Sequence, residues 1–157
     1  MPKVVTPKSF GAPLGMYSHG MVAPAGDIVV VAGQVGMGQG GQVAGSDVVA
    51  QTKQALDNVR AVVEAAGCAM RDVVRFQTFL THTGDIDGFM KARAEVFPSY
   101  FPDGAYPPNT LLIVSQLVKP ELLVEIEAMA VKPAKAPTAP RRAAKPAKRA
   151  RAKKRRH

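Results

Sequence analysis

The chain has 157 residues, which favours a single domain because domains commonly span about 100–200 residues. Its formal net charge of +9 is concentrated at one end, since residues 132–157 hold 12 of the 21 Lys and Arg side chains and no Asp or Glu. Residues 1–131 carry the other 9 basic side chains and all 12 acidic ones, so the basic composition does not indicate a nucleic-acid-binding fold in that part.

Residues 132–157 consist mainly of Ala, Pro, Lys and Arg. Such a segment has too little apolar surface to offset the entropy lost on folding, so we predict a disordered basic tail on a folded domain of residues 1–131. No segment has the roughly 18 apolar residues of a membrane helix, and the first ten residues lack the apolar core of a signal peptide. We therefore expect a cytoplasmic protein.

The single cysteine, Cys68, rules out an intrachain disulfide. The histidines at positions 19, 82 and 157 do not cluster with it at the spacing of metal ligands, so the sequence predicts no metal site. Cys68 follows the helix-ending Gly67, and we interpret it as a small buried side chain.

The first predicted elements are the two strands of a hairpin. Residues 18–36 contain two apolar segments on either side of a turn at residues 24–27. In the second segment, residues 28–32 form a continuous apolar run, which is typical of a strand covered on both faces. The glycine-rich stretch that follows lacks the features of a nucleotide-binding loop, and we expect a flexible connection there with a short strand at residues 41–43.

Two helices are predicted next, with a strand between them. The first spans residues 47–67, where apolar side chains recur every three or four residues until Gly67 ends the helix. The second spans about residues 86–97 and ends before Pro98. The intervening strand, residues 72–80, is rich in branched and aromatic residues. Alternation places four of its side chains on one face: Val74, Phe76, Thr78 and Leu80.

Residues 109–117 and 121–131 are the last predicted strands. In the second of them, Glu125 and Glu127 lie on the face opposite to Ile126. The order of elements predicts an α+β fold in which both helices pack on one face of a sheet. The other face keeps apolar side chains at alternate positions, so we predict that self-association in a homo-oligomer covers it.

Five segments, in this order along the chain, resemble the Rid family of reactive intermediate deaminases: APLGMYSHGM, VVVAGQVG, QTKQALDNVRAVVEAAG, DVVRFQTFLT and LVEIEAMAV. The most specific pieces are the Gly-x-Tyr-Ser turn, the strand ending in Ala-Gly-Gln and the terminal Val-Glu-Ile-Glu-Ala. The resemblance covers about residues 12–131. It implies a chorismate-mutase-like (Rid/YjgF-like) fold, a homotrimer with three clefts at its subunit interfaces, and no metal or organic cofactor.

The resemblance also implies which residues line the cleft. Hydrolysis of a 2-imino acid needs a donor for the carboxylate, hydrogen bonds to the imine or ketone end, and a group that positions and deprotonates a water. By alignment, the tyrosine of the cleft corresponds to Tyr17 and the water-holding glutamate to Glu125, while the backbone amides correspond to Gly33 and Leu111. Glu127 has an equal place in the strand alternation, and only the resemblance distinguishes the two carboxylates.

The sequence departs from the family at the arginine that binds the carboxylate. Active members have Pro-x-Arg-Ser before the penultimate strand, whereas this chain has Pro-Pro-Asn-Thr with the asparagine at position 109, and Ala32 replaces a frequent serine. The neutral amide of Asn109 cannot form the two ionic hydrogen bonds that a carboxylate receives from a guanidinium. We therefore expect weak binding of 2-iminobutanoate and 2-iminopropanoate.

Arg93 is the one misfit on the apolar face of the second helix, at a position where active members tend to have an asparagine. One hypothesis is an exchange, in which Arg93 binds the substrate carboxylate and Asn109 supplies the amide. In the alternative, the Arg93 side chain runs along the apolar stripe and pairs with Glu125, with Glu127 or with another subunit.

Two functions from different classes follow from these residues. The first is a RidA-like deaminase that hydrolyses enamines and imines, such as 2-imino acids, to ketones and ammonia. The alternative is a noncatalytic trimer that binds a small carboxylate or related metabolite. In either case the cations of the tail would bind nucleic acid without sequence preference, with avidity from three tails, unless the tail is only a solubilising extension.

Overall fold

The computed structural model describes residues 1–9 and 11–134, and in them it contains six strands and two helices. In chain order these are β1 (Lys3–Val5), β2 (Gly20–Val22), β3 (Gly26–Val35), α1 (Val48–Ala65), β4 (Val73–Leu80), α2 (Ile86–Tyr100), β5 (Asn109–Ile113) and β6 (Val124–Pro133). Short 3-10 helices precede β4 at Met70–Asp72 and α2 at Thr83–Asp85.

The main sheet has four strands in the order β3-β6-β4-β5. Strand β6 pairs antiparallel with both β3 and β4, whereas β4 and β5 are parallel. A parallel pair needs a crossover connection, which α2 provides between β4 and β5. The sheet is therefore mixed, and β3 and β5 are its edges.

Both helices pack on the same face of this sheet, as the sequence predicts. Alternate residues of β4 and β6 form the floor of the core, and α1 and α2 cover it with apolar side chains. The fully or nearly fully buried members are Phe76, Leu80, Val124 and Ile126 from the sheet and Leu56, Val59, Val63, Phe89 and Phe97 from the helices. The rings of Phe76 and Phe97 stack with their centroids 5.9 Å apart, which joins α2 to β4.

The buried face of β4 begins with Val73 rather than with the predicted Val74. Val73 is fully buried, and the pairing register between β4 and β6 shifts between Val73 and Arg75. An extra residue at such a bulge reverses the alternation on one side of it. The predicted alternation of buried and more exposed side chains therefore holds from Phe76 onward and fails before it.

Helix α2 continues through Pro98 to Tyr100, so the prediction that the proline ends the helix was wrong. Proline lacks the N–H that would bond to the carbonyl four residues earlier. The next turn is nevertheless closed, because the Phe101 amide donates to the Phe97 carbonyl at 2.8 Å. The rings of Phe97, Tyr100 and Phe101 also pack together, and this contact offsets the loss of one hydrogen bond.

The predicted hairpin within residues 18–36 was wrong as well. Strand β2 pairs with β1, which the sequence did not indicate, and β3 pairs with β6. The ten residues of β6 match the ten of β3, so this pair forms a longer ladder than three-residue β2 could offer. Of residues 41–43, only Val43 takes part in β-pairing, through an isolated bridge to Met37.

The sheet face opposite the helices is open in the single chain. Ile28 and Val30 on β3 are 66% and 72% exposed, and Leu112 on β5 is 43% exposed. The expectation that residues 28–32 are covered on both faces is therefore not met by this chain alone. Apolar side chains grouped on one sheet face favour burial against another surface.

Strand β6 ends at Pro133, so Lys132 and Pro133, which we assigned to the tail, belong to the folded domain. From residue 135 onward, the predicted tail lies outside the described residues. Neither helix of the described part is long and apolar enough to cross a membrane.

Candidate functional site

Tyr17 and Arg93 line one cavity of about 260 Å³ between α2 and the loop that precedes β2. The same cavity is lined by Leu14, Gly15, Met16, Met90 and Ala94. Within the loop, the Leu14 amide donates to the Tyr17 hydroxyl at 3.4 Å, and the Tyr17 ring meets the His19 ring edge-on. These contacts fix Tyr17 within the loop, and the cavity brings it together with Arg93, the predicted arginine.

Arg93 is buried, with 3% of its surface exposed. Its Nη2 donates to the Met16 carbonyl, and its Nη1 lies 3.8 Å from the Met90 sulfur. Its guanidinium carbon is 4.4 Å from the ring centroid of Phe97 and 5.4 Å from that of Phe89, which is within cation–π range. Burial lowers the pKa of Arg93 to about 10, so the side chain keeps its charge at neutral pH.

Asn109 lies next to Arg93 inside the chain. Both line a second cavity of only about 10 Å³ between α2 and the sheet. The Thr78 hydroxyl donates to Asn109 Oδ1 at 3.0 Å, which leaves the Asn109 amide N–H groups as donors. Leu111, two residues further along β5, pairs with Thr78 and packs against the core. Arg93 and Asn109 therefore line one cavity, and the exchange between them stays a prediction.

Glu125 lies over Gly33 on the open face of the sheet. Strand β3 has a bulge here, because its register with β6 shifts between Val31 and Gln34. A Cβ atom added to Gly33 would lie 1.7 Å from Oε1 of Glu125, so any larger residue would displace this carboxylate. A bulge leaves its extra residue unpaired in the ladder.

Glu127 has different surroundings from Glu125, although the two are equivalent in the strand pattern. Glu127 is the cross-strand partner of Gln77, and it shares a recess of about 150 Å³ with Gln77 and Arg75. Arg75 in turn donates to the Gln77 side chain. Glu127 therefore sits beside a cation, whereas Glu125 sits on the backbone of the bulge.

The single chain separates the predicted site into two halves. The helix-side half contains Tyr17, Arg93, Asn109 and Leu111, and the open-face half contains Gly33 and Glu125. The alternative in which Arg93 pairs with Glu125 or Glu127 does not occur within the chain, because Ile126 lines the cavity beside Arg93 and alternation turns both carboxylates away.

Comparison with known proteins places this architecture in a family. The family model described as Endoribonuclease L-PSP matches residues 8–132. The crystal structure of YyfB from Yersinia pestis, a protein of the Rid family, matches with a TM-score of 0.73 and 32% identity over 83% of this chain and 98% of that one. The chain belongs to the Rid family. The resemblance seen in the sequence and the α+β fold that it implied are thereby confirmed.

Other Rid relatives span the same region. A RutC family protein from Pyrococcus horikoshii is 34% identical over 84% of this chain and 99% of its own length. A 2-iminobutanoate/2-iminopropanoate deaminase from Escherichia coli is 31% identical with the same coverage. The structure of Escherichia coli TdcF with bound serine matches with a TM-score of 0.63 and 28% identity over 83% of this chain and 99% of that one.

The described residues of this Rid protein contain neither a group of metal ligands nor an activated cysteine nucleophile. Within residues 1–9 and 11–134, no three His, Cys, Asp or Glu side chains are grouped so that they could hold a metal ion. Burial and the nearby Asp72 raise the pKa of the Cys68 thiol, with a smaller opposing effect from Lys132. Cys68 is therefore not activated as a nucleophile.

Sequence reasoning missed the contacts that hold Arg93. Its hydrogen-bond acceptor, the Met16 carbonyl, is 77 residues away in the chain, and no local pattern reveals such a pair. The other contacts do have a signal, since Phe89, Met90 and Phe97 are four residues before, three before and four after Arg93 on α2. Residues at this spacing share one face of a helix.

Proposed function

We propose that this Rid protein hydrolyses imines or enamines of carboxylic acids to ketones and ammonia, at sites formed between copies of the chain in a homotrimer. Two features support the shared site. The halves of the site lie on opposite sides of one chain, and the sheet face that carries Glu125 also exposes Ile28 and Val30. Association through that face would bury both apolar side chains and bring Glu125 to the Arg93 cavity of the next copy.

The chemistry requires few groups. Glu125 accepts a proton from a water molecule while the water oxygen attacks the imine carbon, and the imine nitrogen takes up a proton. The resulting carbinolamine loses ammonia as its C–N bond breaks and the C=O bond forms. An enamine first gains a proton at carbon and enters as the imine. Water is consumed and ammonia released, so no oxidant or reductant is needed.

The remaining residues position the substrate in this proposal. Arg93 binds the carboxylate from the helix side, and the Asn109 amide donates to the substrate beside it. The Tyr17 hydroxyl and the backbone amides of Gly33 and Leu111 donate to the nitrogen or oxygen at the reacting carbon. The relative named as a deaminase and the relative that binds serine support this class of ligand, an amino or imino acid.

The observation that carries the proposal is the position of Glu125 over Gly33, and it allows a matched test. Ammonia release is measured from freshly generated 2-imino acids with the wild type, Glu125→Gln and Glu127→Gln. We expect Glu125→Gln to lower the rate about 100-fold or more, because general base catalysis contributes about 10²–10⁴-fold. Glu127→Gln, on the same face of the same strand, should stay near the wild type.

Each other outcome of this test has a clear meaning. Equal rates in the wild type and Glu125→Gln would reject the catalytic role of this carboxylate. If the wild type releases no ammonia from any imino acid but binds the corresponding 2-oxo acids, the protein is the noncatalytic carboxylate-binding trimer instead.

We also propose a second function, nonspecific binding of DNA or RNA, for the basic tail. The 11 Lys and Arg side chains of residues 135–157, with no Asp or Glu among them, support it. Contacts of this kind neutralise phosphates and release counterions, so the binding should weaken steeply with salt.

A further inference from the structure

The buried guanidinium of Arg93 has no anionic partner in the described chain. Arg93 is 3% exposed and forms no ion pair with any described residue. Its hydrogen bonds go to the Met16 carbonyl and, weakly, to the Met90 sulfur, and its Nε has no partner among the described residues. A cation that is taken out of water without a counter-charge destabilises the fold unless something compensates it.

The contacts that Arg93 does make leave room for an anion. The rings of Phe89 and Phe97 interact with the guanidinium as cation–π partners. The hydrogen-bond donors of a guanidinium, by contrast, point outward in its plane. The Met16 carbonyl takes one side of that edge, and a thioether is only a weak acceptor on the other. Both methionines line the 260 Å³ cavity, so the donor edge faces into it.

The rest of the cavity is apolar. Its walls are Leu14, Met16, Met90 and Ala94, and the only other polar side chain in its lining is Tyr17. A cavity of about 150 Å³ is enough to hold a benzene ring, so this larger one can hold a ring or a branched chain together with a carboxylate. A cavity with one buried cation and apolar walls fits a ligand with one anionic end and an apolar remainder.

We propose that the Arg93 cavity selects carboxylates with a large apolar side chain, such as 2-imino and 2-oxo acids of the size of leucine, methionine or phenylalanine. The shorter acids named for the deaminase relative would bind less tightly, because they leave the methionine-lined wall unfilled. This proposal deepens the proposed function and rests on it, since it concerns the substrate of the same site.

Direct binding of 2-oxo acids tests the selectivity without any turnover. The full-length protein is titrated calorimetrically with 2-oxobutanoate, 4-methyl-2-oxopentanoate and phenylpyruvate. Each buried methylene strengthens binding about fourfold, so the two extra carbons of 4-methyl-2-oxopentanoate should lower Kd about tenfold or more relative to 2-oxobutanoate. A Kd for 2-oxobutanoate equal to or below that of the larger acids would overturn the proposal, as would the absence of binding by all three.

Two variants connect the selectivity to this cavity. Ala94→Leu places a larger side chain in the cavity wall and should weaken binding of the two large acids while leaving 2-oxobutanoate nearly unchanged. Lys91→Leu is its control, since Lys91 is exposed on the same helix and does not line the cavity. Unaltered selectivity in Ala94→Leu would show that the acids bind elsewhere.

Arg93→Gln should weaken all three acids by a similar factor, about tenfold or more, because it removes the charge but keeps a donor. Thermal unfolding of Arg93→Gln shows whether it folds, and the Ala94→Leu comparison decides the question independently if it does not. Failure of the proposed function is visible separately, as size-selective binding of 2-oxo acids without ammonia release from the matching imino acids.

Discussion

Replacing Gly33 by alanine is the most direct perturbation of the proposed water-holding carboxylate. The new methyl carbon would lie 1.7 Å from Oε1, 2.6 Å from Cδ and 2.8 Å from Cγ of Glu125, which are separations that no pair of non-bonded atoms tolerates. The carboxylate must therefore move. Gly33 does not have the positive φ that disfavours other residues, so the backbone itself accepts alanine.

The expected magnitudes separate catalysis from folding. All three clashing atoms belong to the flexible Glu125 side chain, which can rotate toward the open face, so we expect the free energy of unfolding to change by less than about 1 kcal/mol. Ammonia release should fall about 10²–10³-fold, because a base held in the wrong position loses most of the advantage of general base catalysis.

The assay compares rates of ammonia release and thermal unfolding for the wild type, Gly33→Ala and Gly84→Ala. Gly84 is the matched control, since a Cβ atom there meets nothing within 4 Å. The double variant of Gly33→Ala with Glu125→Gln should be no slower than Glu125→Gln alone, because both changes act on one group. A folded Gly33→Ala protein with the wild-type rate would refute the role that we give to this contact.

Three further predictions concern stability and the tail. Gln51→Leu should lower the free energy of unfolding by about 2–4 kcal/mol in chemical denaturation, since it breaks three buried hydrogen bonds, whereas Gln54→Leu breaks one and should lower it less. Burial and Asp57 raise the pKa of Tyr100 to about 12. The folded protein therefore holds the phenol proton that the unfolded chain loses near pH 10, so stability should fall from about pH 10 to 12, and Tyr100→Phe should flatten this slope. Removing residues 135–157, beyond the end of β6, should abolish salt-sensitive retention on nucleic acid, and equal retention at low salt would reject the role of the tail.

The parts of the fold that the sequence predicts are those with a repeating pattern. Val59 and Val63 are one helical turn apart and both are fully buried, and the alternation around Ile126 holds from Val124 to Ala130. The features that the sequence did not predict each occur once in the fold, so no repeating pattern indicates them. Strand β1 has three exposed residues and no alternation of burial, so nothing in it distinguishes a strand from an extended terminus. Pro98 is tolerated because the rings of Phe97, Tyr100 and Phe101 pack together and contact Phe76, which is distant in the sequence.

The candidate site also combines features that a repeating pattern predicts with features that it does not. Alternation predicts that Glu125 and Glu127 share the open face, but it does not indicate that Glu125 lies at the bulge in β3 while Glu127 lies beside Arg75. An Ala-Gly pair at the end of an apolar strand is compatible with a bulge and does not require one. Arg93 is visible in the sequence as a misfit on an apolar helix face. Its hydrogen-bond acceptor, the Met16 carbonyl, lies in the loop before β2, and no local pattern predicts this contact.

The contacts of Arg93 and Asn109 are compatible with the proposed exchange, because each side chain makes contacts that the other could not make at the same position. Asn109 accepts from the Thr78 hydroxyl, which holds the amide in one orientation, and a guanidinium has no acceptor with which to make that bond. Arg93 interacts with Phe97 and Phe89 through cation–π contacts that a neutral asparagine would not make. In the function that we propose, the cation therefore approaches the substrate from α2 rather than from β5. In this proposal, the apolar neighbours of Arg93 on α2 and in the loop before β2 line the space that the substrate side chain enters, so we expect the position of the charge to set the selectivity as well.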